Sequence, residues 1–372
     1  MSTSLKELLT DEVRDLPSAP VPVAAVISDG RRRLWRHRAL RGTGAFAAVA
    51  LAALVVHVVP DGSGSDPAGS GGFEQRTATY ATSSTIHYGD RVIDVSPHSV
   101  WSFVQTDDGF VFTTESGDVY LADGDTVDQI GDGSDDGLLV ADDSGSYVAW
   151  VDHAAELVVY DTGTRQEVTR TVAAGEPSDG VYLDDDGPYV VALDGGTVYW
   201  RTGKGVVAWD VSTQSGGVLV AHQNQFYVHD VVDGMIAQIW TPDAERPRDL
   251  VVSADPNATN PRFSMEENSN LSPSARYLAA GDRFDTDGGI FDVTSGDDVT
   301  PTAQGYASAM FVQWIDDGHY VARGVLAQDN RVDLLTCSIA DRQCVPAPPS
   351  AGLVGEIEFP MGEHAPFGLG VS

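Results

Sequence analysis

Two hydrophobic patterns divide this chain. Residues 43–59, from Thr43 through Phe46 and Leu51 to Val59, form one uncharged run with no alternation. Beyond about residue 76, apolar residues come in short runs, separated by Asp, Gly, Ser and Pro. The first pattern predicts a helix, and the second predicts many short strands joined by tight turns.

The strand pattern repeats. A turn pair, then an aromatic or apolar residue, then a short apolar strand occurs at Asp108-Gly109-Phe110, Gly145-Ser146-Tyr147 and Gly187-Pro188-Tyr189. It recurs at Asp233-Gly234-Met235, Ala275-Arg276-Tyr277 and Gly318-His319-Tyr320. The markers 110, 147, 189, 235, 277 and 320 read as lying in fourth-strand-like positions. They are spaced by 37, 42, 46, 42 and 43 residues. A period near 42 matches one four-stranded propeller blade. A second element recurs within the period: an apolar strand ending in aromatic-Asp, as in Tyr160-Asp161, Trp209-Asp210 and Phe291-Asp292. Val119-Tyr120-Leu121 and Val332–Leu335 are degenerate versions.

Six copies are visible. Thr85–Tyr88, Arg91–Val95 and Val354–Phe359 are also strand-like. They are expected to combine into a seventh blade drawn from both ends of the chain, which closes the ring and removes exposed sheet edges. Six blades is the alternative. The fold class is therefore all-β, a seven-bladed β-propeller over 78–372, preceded by one transmembrane helix.

Leu271-Ser272-Pro273-Ser274-Ala275-Arg276-Tyr277 resembles the turn motif of WD40-like and TolB-like propellers, and the pattern covers about 290 residues. The resemblance implies an anchored protein of bacterial, actinobacterial type. It also implies binding along a central funnel and its rim loops.

Charge gives the run at 43–59 a direction. With Gly42 it has 18 residues, roughly 27 Å of helix, near the short end for a membrane span. Arg31, Arg32, Arg33, Arg36, Arg38 and Arg41 precede it, and Asp61 and Asp66 follow. The positive-inside rule then puts 1–42 in the cytoplasm as a basic tail and the body outside, at the cell membrane. Residues 60–77, rich in Gly and Ser, read as a flexible linker. A cleaved signal peptide, with Arg31-Arg32-Arg33 as a loose twin-arginine match, competes with this reading, as does a buried core helix. Residues 1–30 read as mostly disordered, with a turn or two of helix at Leu5–Leu9 ended by Pro17, Pro20 and Pro22.

The net charge is -33, and residues beyond 59 hold 14 basic and 50 acidic side chains. Such a surface repels nucleic acid and anionic headgroups, so neither is an expected partner of the body. A protein or an envelope glycan is.

Candidate chemistry is sparse. The two cysteines, Cys337 and Cys344, flank a hairpin turn in the sixth copy and are expected to form a structural disulfide. No Cys-x-x-Cys or His-Glu-x-x-His spacing, Gly-x-Ser-x-Gly elbow or phosphate loop occurs, so no metal, cofactor or catalytic residue is assigned. His222 and His229 read as flanking one strand. The Asp184-Asp185-Asp186-Gly187 and Asp282–Gly288 clusters read as turns rather than calcium loops, and most body tryptophans as blade packing. Asn257 and Asn270 begin glycosylation-like triplets, read as loops.

The leading functional reading is a surface-displayed binding or scaffold module, with the insertion from Thr241 to Asn268 as the first place to seek a partner surface. The alternative is a carbohydrate-active or quinoprotein-like enzyme. Val206–Thr213 resembles a quinoprotein repeat stretch, although the Gly and the closing Trp of that motif are missing. A signalling role for 1–42 ranks third.

Overall fold

The computed structural model describes residues 72–133, 138–142, 145–172, 188–202, 204–221, 226–240, 249–260, 263–264, 268–281, 288–326, 332–347 and 359–360. They form seven antiparallel sheets, each built from strands adjacent in sequence. The first holds β1 (Thr79–Thr82), β2 (Thr85–Tyr88) and β3 (Arg91–Asp94). The second holds β4 (Ser102–Thr106), β5 (Gly109–Thr113), β6 (Asp118–Ala122) and β7 (Val127–Asp132). The third runs from β8 (Leu139–Ala141) and β9 (Tyr147–Val151) to β10 (Glu156–Asp161) and β11 (Gln166–Val172). The fourth has β12 (Tyr189–Asp194), β13 (Thr197–Thr202), β14 (Gly205–Asp210) and β15 (Ser215–Ala221). The fifth has β16 (Phe226–Val232), β17 (Met235–Trp240), β18 (Asp249–Ser253) and β19 (Phe263–Ser264). The sixth has β20 (Asn268–Leu271), β21 (Tyr277–Gly281) and β22 (Gly289–Asp292). The seventh has β23 (Tyr306–Asp316), β24 (His319–Leu326), β25 (Val332–Ser338) and β26 (Gln343–Pro346).

The first strand of one sheet abuts the first strand of the next: β4 with β8, β8 with β12, β12 with β16, β16 with β20. First strands therefore lie innermost and fourth strands outermost. Apolar residues fill the gaps between sheets rather than a single centre. Val111 and Leu121 of the second sheet meet Leu139 and Trp150 of the third. Leu157 and Val159 of the third meet Val198 and Trp200 of the fourth. Among the described residues there are seven such clusters, one per junction between successive sheets. The last joins the seventh sheet to the first: Val312, Val321 and Leu334 pack on Ala78 and Tyr80, and Phe359 is buried with them. Gln313 Nε2 also donates to the Thr77 carbonyl at 2.9 Å across that seam. The ring is a closed, seven-bladed β-propeller.

Phe359 is buried in one cluster with Tyr80 of β1, the first strand of a sheet that has three strands among the described residues. Residues 348–358, where a closing strand was expected, lie outside the described residues. So do residues 1–71, including the run at 43–59. Among the described residues no helix is long and apolar enough to cross a membrane.

Three details differ from the sequence reading. The repeat markers sit in second strands, not fourth ones: Phe110, Tyr147, Met235, Tyr277 and Tyr320 belong to β5, β9, β17, β21 and β24. Tyr189 is out of step, since it opens the innermost strand β12, and its true counterpart lies in β13. The Thr241–Asn268 insertion is in part ordinary blade, supplying β18 and β19 with Phe263 buried. Asn270 lies in β20 and is buried, so only Asn257 of the two triplets is on an exposed loop.

Candidate interaction surface

Antiparallel pairing puts all first-to-second turns and all third-to-fourth turns at one end of the ring. Hydrogen bonds between neighbouring blades confirm the alignment. Asp107 N donates to Gly145 O at 3.3 Å. Asp233 N donates to Asp194 Oδ2 at 2.9 Å, and Ser274 N to Asp317 Oδ1 at 2.8 Å. Thr162 Oγ1 donates to Asp108 Oδ2 at 3.0 Å. Asp107, Asp108, Asp142, Asp194, Asp233, Asp316 and Asp317 therefore rim this end.

Much of this acid is turn chemistry. Asp161 Oδ1 accepts from the amides of Gly163 and Thr164 at 3.0 and 3.1 Å. Asp292 Oδ1 accepts from Thr294 and Ser295, both at 2.9 Å. Asp210 Oδ1 takes the Thr213 amide at 2.8 Å and the Ser212 hydroxyl at 2.6 Å. These are the aromatic-Asp positions: each closes a third strand and staples the turn that follows it. The turn donors favour the ionised form, and the Ser295 amide first of all holds Asp292 below the usual carboxylate range. Val206–Thr213, the quinoprotein-like stretch, is thus strand β14 and its stapled turn.

The N-terminal segment joins the ring at this same end. Phe73 is buried between the first two sheets, edge-on to Phe110 at 5.5 Å, although it falls in the stretch read as linker. Gln105 of β4 donates to the carbonyls of Phe73 at 2.6 Å and Gln75 at 3.1 Å. Tyr88 OH donates to Gly72 O at 2.9 Å and Gln75 O at 2.6 Å. Arg76 lies 3.9 Å from Asp107 and donates to Asp142 O at 3.4 Å.

The two cysteines face each other across the β25–β26 hairpin and are bonded, with S–S at 2.02 Å. That hairpin belongs to the seventh sheet, because the first sheet precedes the six copies. Trp150, Trp200 and Trp314 are core residues, whereas Trp101 is 45% exposed ahead of β4. The side chain of Trp240, His222 and both acidic clusters, 184–187 and 282–287, lie outside the described residues. Among the described residues no group of His, Cys, Asp or Glu is placed to hold a metal ion.

Sequence reasoning missed Asp230. It sits in innermost strand β16, wholly buried, and its Oδ2 accepts the Leu271 amide of the next blade at 2.6 Å. Burial, and secondarily the charge of Asp194, push its pKa well above the carboxylate range. The one legible signal was an Asp inside an apolar strand rather than at its end.

No protein-family model and no curated protein matches the chain. Among solved structures it is similar to U3-55K, at 14% identity over 71% of this chain and 85% of that one, with a TM-score of 0.45. It is similar to the RRP9 WD40 repeats, at 14% identity over 71% and 84%, TM-score 0.41. A chain of a mitotic checkpoint complex matches at 12% identity over 79% and 90%, TM-score 0.45. The assignment of the fold rests on the seven sheets and seven inter-blade cores of the chain itself.

Proposed function

We propose that this seven-bladed propeller is a binding or scaffold module of the cell envelope, carried outside the membrane on an N-terminal anchor at residues 43–59. Its partner is a protein or an envelope glycan. The observation that supports the tethered reading most is the hold on residues 72–77. A segment that merely trailed from the ring would be solvated. Here Phe73 is buried and glutamines from two innermost strands, Gln105 and Gln313, grip its backbone. A segment gripped in this way is held by the ring rather than trailing from it. The arginines before residue 43 and the acids after 59 supply the direction.

The test is topology in cells. The full-length chain is expected in the membrane fraction, with the propeller cut by protease added from outside. Replacing Arg31, Arg32, Arg33, Arg36, Arg38 and Arg41 together by Glu is expected to invert or abolish that orientation. A propeller protected from external protease in the unsubstituted chain, or one recovered free of the membrane, overturns the anchor.

A further inference from the structure

We infer that the outer edge of the fourth blade, at Ser215–Val218, accepts an extended segment of a partner protein as an added strand. This rests on the tethered reading above only for the choice of occupant. A propeller leaves each outermost strand with one unpaired row of backbone groups, and such edges are normally blunted. Here the blunting can be compared blade by blade. β3 carries Arg91 and Asp94, β7 carries Asp128 and Asp132, and β11 carries Glu167 and Arg170. β19 has only 2 residues. β26 ends in Pro346 and is tied by the disulfide. β22 is 4 residues long and is followed by a bridge from Phe291 to Asp298. β15 has 7 residues, reading Ser-Gly-Gly-Val-Leu-Val-Ala, with no charge and no proline.

All three long outer strands share one device. Each has a bulge that turns an apolar residue inward: Ile130 in β7, Val168 in β11 and Leu219 in β15. The bulge divides the edge of β15 and leaves Ser215–Val218 as a regular ladder against Asp210–Val207. Ser215 and Gly216 are exposed, and Val218 is 44% exposed. The two glycines present backbone without a covering side chain. What distinguishes β15 is thus the missing charge, not the missing bulge.

Two occupants are conceivable for such an edge, a second copy and a foreign segment. Antiparallel pairing of β15 with itself needs a two-fold axis perpendicular to the strand, which points the two residue-72 ends in opposite directions. Copies tethered to one membrane meet that way only with their ring axes opposed. Two bodies with 50 acidic and 14 basic side chains each also repel. The same charge attracts a segment that is uncharged and alternately apolar at its centre and bears Lys or Arg at its flanks. Backbone hydrogen bonds would hold it, and Val218 would sit opposite one apolar side chain.

The probe is a short synthetic peptide of alternating threonine and valine flanked by lysines, added to the full-length chain. Amide hydrogen exchange is expected to slow at residues 215–218. Val218→Lys is expected to weaken binding about fivefold, by replacing the apolar pair with a charge of the same sign as the flanking lysines. Val92→Lys, at an exposed valine of the guarded strand β3, is expected to leave it unchanged. No binding, equal loss in both variants, or protection at another strand overturns the proposal. So does a dimer in sedimentation that Val218→Lys dissolves, since the edge would then serve self-pairing. Slowed exchange at 215–218 is read whichever side of the membrane holds the propeller, so failure of the topology reading leaves this readout intact.

Discussion

A single carboxyl group behaves here in two opposite ways, according to what surrounds it. Asp292 is partly exposed and accepts two turn amides, so folding favours its ionised form. Its contribution is full above the unfolded carboxylate pKa and is lost as pH falls through the lowered folded value. Asp230 is the reverse case. Burial raises its folded pKa well above the unfolded one, so folding favours the proton. Its contribution is full below the unfolded pKa and is lost as pH rises through the folded value. Asp230→Asn keeps an acceptor for the Leu271 amide and cannot ionise. The variant is expected to unfold at a higher temperature than the parent at neutral pH. The gap should close as the pH drops towards the ordinary carboxylate range. Melting curves across pH check it, and a gap that does not change with pH would refute a buried titrating Asp230.

At the scale of the strand and turn, staples should matter more than clamps. Arg165 reaches from the β10–β11 turn back to Asp123 and Asp128 of the preceding blade. Its side chain is 46% exposed and Asp128 is 55% exposed, so screening leaves such pairs at roughly 0–1 kcal/mol. The residue also holds φ +55°, where glycine is at ease. Arg165→Gly is therefore expected to shift stability by less than about 0.5 kcal/mol, the lost pair offset by relieved backbone. Asp161→Ala, four positions earlier, strips two amides of their acceptor and is expected to cost about 1–3 kcal/mol. Denaturant midpoints of the two variants decide the ranking. The same turns explain what was legible in the sequence. Aromatic-Asp could be recognised because Asp performs a local task that any turn of this kind repeats. Strand identity within a blade could not. β4 and β5 are buried along their whole length, so no alternation marks which face or which position a strand holds. Gly187-Pro188-Tyr189 therefore passed for one more copy of the marker when Tyr189 opens a first strand. The composition of β15 was readable as uncharged, but its outermost place came only from the pairing order.

For the whole ring, the seam between the seventh and first blades decides whether seven local cores act as one. Six junctions join sheets that follow each other in sequence. The seventh joins residues more than two hundred positions apart, as Gln313 to Thr77 shows. The entropy of closing so long a loop must be met by that junction alone. Its buried cluster spans Ala78 and Tyr80 on one side, Val312, Val321 and Leu334 on the other, with Phe359 between. Phe359→Ala empties a buried place in that cluster and is expected to cost about 3–5 kcal/mol. The damage should also have a place. Amide exchange is expected to quicken in β1 and β23 well before it does in β12 and β13, whose cores lie across the ring. If exchange instead rises evenly in all blades, the ring unfolds only as a unit and the seam is no weaker than its other junctions. If it rises at the seam alone, closure is a local equilibrium. Gln313, which grips the N-terminal segment at Thr77, then stands at the point where the ring opens first, so tension on that segment would load its weakest junction.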